Sequence, residues 1–123
     1  MIGYTSLGTN DLSRSGAFYD ALLAGFGAQR VFEQPDFIVW SASENVPAFS
    51  VHVPFDGNAA TVGNGTMIAL STASRDEVDA LYKKAISLGA TSEGEPGQRH
   101  ESGFYAAYFR DPDGNKLNIH HMG

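Results

Sequence analysis

Apolar residues recur along this chain with two periods, and the two periods alternate in a fixed order. Tyr4 to Thr9 is a short, partly β-branched run that reads as a strand and ends at Asn10-Asp11, either of which suits a helix N-cap. Leu12, Ala17/Phe18, Leu22/Leu23 and Phe26 follow at helical spacing, with Gly25 and Gly27 as stop signals. Two apolar runs come next, around Arg30-Val31-Phe32 and at Phe37-Ile38-Val39-Trp40. A third, Ala48 to Val53, alternates Phe49/Val51/Val53 against Ser50/His52, the pattern of a half-buried strand. The first half reads β-α-β-β-β.

The second half repeats that order after a flexible stretch marked by Asp56-Gly57-Asn58 and Gly63-Asn64-Gly65. Thr66 to Thr72 reads as a strand, and Ser74 with Glu77 three residues on has the capping-box pattern. Val78, Leu81/Tyr82 and Ala85/Ile86 keep a helical period until Gly89. A weak segment near Thr91 leads into a Gly/Pro-rich loop, Gly94 to Gly103. Phe104 to Arg110 and Lys116 to His121 form the last two strands, joined by Asp111-Pro112-Asp113-Gly114-Asn115, whose Pro and Gly supply turn geometry. A shift of 63 residues lays Tyr4 on Met67, Leu7 on Leu70 and Phe18 on Leu81. A shift of 68 lays Phe37-Ile38-Val39-Trp40 on Tyr105-Ala106-Ala107-Tyr108, and Phe49-Ser50-Val51-His52 on Leu117-Asn118-Ile119-His120. Agreement across eight elements in order points to an internal duplication.

Two motifs sit at the ends of that duplication. Asn10 to Tyr19, leading into a Leu-rich helix that Gly terminates, resembles the start of a vicinal oxygen chelate domain. Phe109-Arg110-Asp111-Pro112-Asp113-Gly114-Asn115-Lys116-Leu117 resembles that superfamily's last hairpin. This is the superfamily of glyoxalases, bleomycin resistance proteins and extradiol dioxygenases, and the similarity spans essentially the whole chain. Glu95-Pro96-Gly97-Gln98-Arg99 further resembles a Pro-Gly-x-Arg loop of a glyoxalase-like subgroup. The resemblance implies an α+β fold: two βαβββ modules forming a curved eight-stranded mixed sheet, a cup, with both helices on its outer face. It divides one domain, residues 1–123, into module one (1–54), a linker (55–65) and module two (66–123). Alternation along the strands turns Leu7, Val51, Leu70, Leu117 and Ile119 to the helices, and Tyr4, Ser6, Ser50, His52, Met67, Ala69, Asn118 and His120 into the cup.

Length and composition remove other classes. The 123 residues suffice for one domain, and 42% hydrophobic content fits a packed core. With 8 Lys and Arg against 14 Asp and Glu, the net charge of −6 argues against nucleic acid and against anionic lipid surfaces. No apolar run approaches the ~18 residues that span a bilayer, and Met1 to Thr5 lacks signal-peptide character, so a cytoplasmic protein is expected. Zero Cys excludes disulfides, thiolate metal sites and thiol nucleophiles.

Metal-using members of the superfamily place His, Gln or Glu ligands on four strands of the cup. The resemblance puts Tyr4, Ser50, Met67 and Asn118 at those positions, a poor donor set for divalent ions, and no cofactor is expected. His52 and His120 are equivalent under the 68-residue shift. They read either as a pair of polar residues at strand ends or, with a third donor, as a relocated Zn, Ni or Fe site. Trp40 and Tyr108 share a face under the same shift, and Arg99 borders the opening, either solvated or holding an anionic group. The expected ligand-contacting set is therefore Tyr4, Trp40, Ser50, His52, Met67, Arg99, Tyr108, Asn118 and His120. Three readings follow: a small-molecule-binding protein without the usual metal; a lyase, isomerase or dioxygenase-type enzyme acting on a small carbonyl compound through rebuilt His ligands or His acid–base catalysis; or a structural or regulatory domain with a filled cup. The resemblance also implies a homodimer, with the cup completed inside one chain or across two.

Overall fold

Asp11 and Ser74 set the starts of the two helices. Asp11 accepts from Arg14 N at 3.0 Å and Ser74 Oγ from Glu77 N at 3.1 Å, each satisfying a donor that the first helical turn leaves unpaired. The computed structural model describes all residues, Met1–Gly123. Module one contributes β1 (Tyr4–Gly8), α1 (Leu12–Ala24), β2 (Gln29–Gln34), β3 (Phe37–Ser41) and β4 (Ala48–His52). Module two contributes β5 (Ile68–Ser71), α2 (Arg75–Ser87), β6 (Thr91–Gln98), β7 (Tyr105–Arg110) and β8 (Lys116–His121). The strands form two four-stranded mixed sheets, ordered β1-β4-β3-β2 and β5-β8-β7-β6, with one parallel and two antiparallel pairings in each. The α+β class with two βαβββ modules is as the sequence implies. No helix is long and apolar enough to cross a membrane.

Each sheet has one face on its helix and one face turned away, called here the open face. Leu7, Ile38 and Val51 of the first sheet and Phe109, Leu117 and Ile119 of the second lie inward, against Phe18, Leu22 and Leu23 of α1 and Val78, Leu81 and Ala85 of α2. These residues form one continuous cluster that crosses from module to module. At the crossing Gly25 lies against Leu81, and a Cβ there would collide with the leucine side chain. Polar bonds reinforce the junction. Tyr19 Oη donates to Asp111 Oδ2 at 2.6 Å, Thr9 Oγ1 to Asp113 Oδ2 at 2.6 Å, and Asn115 Nδ2 to Gly8 O at 2.9 Å.

Two expectations need correction. Trp40 does not share the open face with Tyr108; it is 1% exposed, packs on Tyr19 and Phe49, and donates from Nε1 to Asp20 at 2.9 Å. Val39 pairs with Ser50, whereas Tyr108 pairs with Asn118, so β3 and β7 correspond at a shift of 69 and not 68. The β3–β4 connection is one residue longer than the β7–β8 turn, and a slip of one residue exchanges the faces of a strand. The segment expected as a loop from Gly94 is instead the continuation of β6, which runs through Glu95-Pro96-Gly97 with two register shifts against β7. A bulged edge strand tolerates proline and glycine because its outer N–H groups have no ladder partner.

Candidate functional site

A cavity of about 530 Å³ lies on the open face of the first sheet. Its floor is built by register. The pairs Phe37–His52 and Val39–Ser50 put alternate residues of β3 and β4 on that face, and Tyr4 and Ser6 of β1 continue it. Phe37, Val39, Val53 and Phe55 give apolar lining, and Asp36 is the one charged residue there. Both serines and one nitrogen of His52 are already engaged. Ser6 Oγ and His52 Nδ1 share a hydrogen bond at 2.5 Å, while Ser50 Oγ donates to Thr5 O at 2.8 Å. Tyr4 stands at the mouth, 69% exposed, and does not plug the space.

Of the nine residues singled out from the sequence, the structure brings Tyr4, Ser50 and His52 together in this cavity. Tyr108, Asn118 and His120 lie on the open face of the second sheet, with Arg99 above Tyr108. Met67 precedes β5, at 38% exposure. Trp40 belongs to the core, as described above. His120 Nδ1 donates to Asn118 Oδ1 at 3.0 Å, so the neutral ring keeps its lone pair on Nε2, and its face lies near Phe104. Burial, helped by the charge of His121, holds the His120 pKa below the usual histidine value. Ser6, read as facing the cup, and Asp36, Phe37 and Val39 also line the cavity and were not in the expected ligand-contacting set. Ser6 was readable from its alternation with Leu7, while Phe37 and Val39 were hidden by the shift of 68.

The donor set does not suit a divalent metal. Ser50 is committed to a backbone carbonyl, Asn118 Oδ1 to His120, a tyrosine such as Tyr4 ligates a hard ion only as the phenolate, and Met67 offers a soft thioether. No three His, Asp or Glu side chains converge anywhere in the chain. His52 and His120 lie on different sheets, each bonded within its own.

The family model for the Glyoxalase/Bleomycin resistance protein/Dioxygenase superfamily matches residues 1–119. The chain belongs to that superfamily. A glyoxalase/bleomycin resistance protein from Albidiferax ferrireducens is 34% identical, covering 100% of this chain and 99% of its own, with a TM-score of 0.90. A lactoylglutathione lyase from Agrobacterium tumefaciens, 21% identical over 98% of this chain and 92% of its own, has a TM-score of 0.74. A glyoxalase-related enzyme from Fulvimarina pelagi, 23% identical over 98% of this chain and 87% of its own, reaches 0.78. The last two likenesses are of fold. No protein of curated function matches the chain. Superfamily membership thus coexists here with Tyr, Ser, Met and Asn at the four positions where the resemblance places metal ligands.

Proposed function

We propose that this member of the superfamily binds a small molecule in the first-sheet cavity without a divalent ion at the four strand positions. The carrying observation is the cavity itself: apolar walls from Phe37, Val39 and Phe55 around a fixed Ser6–His52 pair. Such a lining suits a ligand with an apolar body and one hydrogen-bonding group. The exposed Tyr4 at its mouth supports this reading over a filled cup. The proposal takes the chain as one domain acting as a homodimer in the cytoplasm. Apolar Met1, Ile2, Tyr4 and Phe55, all exposed, give a second copy a surface to cover.

A catalytic reading is favoured by one specific contact. A Ser–His pair at 2.5 Å fixes the imidazole in place, and a held histidine can move a proton at a small carbonyl compound. Both readings are tested together by a fragment screen followed by NMR titration of the intact chain, with elemental analysis of protein after loading with Zn, Ni, Fe and Mn. Binding that His52→Ala and Tyr4→Ala weaken, with metal far below one per chain, supports the proposal. Stoichiometric metal that survives dialysis overturns it. Turnover of a bound carbonyl compound, lost in His52→Ala and Ser6→Ala, selects the catalytic reading.

A further inference from the structure

The open face of the second sheet carries a charge pattern opposite to that of the chain. The protein has a net charge of −6 and 8 Lys and Arg in all. Three of those cations, Arg99, Arg110 and Lys116, gather beside Tyr108 on this face. Alternation puts them there: Arg110 pairs with Lys116 and Tyr108 with Asn118, two residues along each strand. The facing carboxylate is Glu93, which accepts from Arg110 Nε at 2.6 Å. Arg110 is thereby neutralised and also donates to Gly114 O. Arg99 and Lys116 have no salt-bridge partner, and Glu93, whose carboxylate feels the lysine charge, is held by Arg110.

The Arg99 guanidinium is set in a prepared position. It lies 5.5 Å from the centroid of the Tyr108 ring, and the Lys116 ammonium lies 5.5 Å from the same centroid. It donates to the carbonyl of Glu95, which anchors it and leaves its other N–H groups without a protein acceptor. Gly94 and Gly97 on β6 make the room. A Cβ on Gly97 would stand 2.7 Å from Nη1, and one on Gly94 would stand 3.2 Å from Nη2. Two glycines, an aromatic ring and a backbone carbonyl thus hold a planar donor fork against the ring that Lys116 also approaches. A surface arginine that served solubility alone would need none of these.

We infer that this face binds the oxyanion group of a small organic molecule, a carboxylate or a phosphonate, on the Arg99 guanidinium, with the Lys116 ammonium against the same Tyr108 ring adding to the positive field. The guanidinium fork matches two oxygens of either group, and the ammonium adds a point charge. Phe104, whose carbonyl accepts from Arg99 N at 2.7 Å, stands next to Arg99 and offers a ring to an apolar body. The inference stands on module two alone and does not rest on the first-sheet cavity.

The test is calorimetric titration of the intact chain at low ionic strength with benzoate, phenylphosphonate and the uncharged benzyl alcohol. Saturable binding of at least one oxyanion is expected, and benzyl alcohol should bind at least tenfold more weakly, about the worth of one charge-assisted bond. Arg99→Gln and Lys116→Gln should each weaken the oxyanion by about tenfold, while Arg75→Gln, which removes a cation stacked on Tyr105, should leave it unchanged. Gly97→Ala provides a second route, because it displaces the guanidinium without removing its charge. Arg99→Lys should recover part of the affinity, less for the bidentate contact than for charge alone. The ratio of the two oxyanions tells which group the site prefers. Equal binding of benzyl alcohol, no saturable binding of either oxyanion, or undiminished affinity in both charge variants overturns the inference.

Discussion

Tyr19 is wholly buried, with its ring 4.9 Å from Phe18 and 4.7 Å from Phe49, and its hydroxyl bonded to an Asp111 that also accepts from Asn115. Replacing it with Phe keeps the packing and removes one donor from a buried carboxylate. Tyr19→Phe should therefore cost about 1.5–3 kcal/mol in urea unfolding at neutral pH, the worth of a hydrogen bond to a charged group. Burial first, and the nearby Asp111 charge second, push the Tyr19 pKa well above its usual value. Unfolded chain then releases this proton above about pH 10 while folded chain keeps it. Stability should fall as pH rises through that range, and Tyr19→Phe should flatten the slope. His120 has the opposite sense. Its pKa is depressed by burial and by His121, so unfolded chain takes up a proton below about pH 6.5 that folded chain refuses. Stability should drop as pH falls below that value, and His120→Gln should lessen the drop in a series of denaturation curves.

The helices and strands differ in how far their residues disclosed them. Helix starts were legible because one side chain decides each: Ser74→Ala should cost about 1 kcal/mol, read from thermal unfolding, since only that hydroxyl caps Glu77 N. The inward and outward faces of β1, β4 and β8 were legible because polar and apolar residues alternate along them, as Phe49/Val51 against Ser50/His52 and Leu117/Ile119 against Asn118/His120. β3 was legible as a strand and misread as to face, since the one-residue difference between two connections leaves no mark within the strand itself. That slip moved Trp40 into the site and hid Val39 and Phe37 from it. β6 was misread for another reason: Gly94, Pro96 and Gly97 carry turn chemistry locally, and what keeps them extended is pairing with β7. The candidate site was half legible. Alternation turned Tyr4, Ser50 and His52 to the face where the cavity lies, but the stacking of Arg99 on Tyr108 depends on β6 being a strand.

Viewed as one body, the molecule is two sheets fastened by their helices, and neither module closes a core without the other. Val78 and Leu81 of α2 and Leu22 and Leu23 of α1 belong to one cluster, and Asp111 and Asp113 of module two bond to Tyr19 and Thr9 of module one. The two halves should unfold in a single cooperative transition, seen as coincident denaturation by tryptophan fluorescence, which reports Trp40 in module one, and by far-ultraviolet dichroism. Between His52 and Ile68 the chain has neither helix nor strand, and Gly63-Asn64-Gly65 forms an exposed turn within it. Cutting the chain there would leave two pieces of nearly equal length, each with half an interior and a stripe of uncovered leucine and valine. Mixed, they would restore each other's fold. The turn at Asn64 is thus a place to divide the protein into a complementing pair, in which the return of Trp40 to its shielded setting signals that the pieces have met.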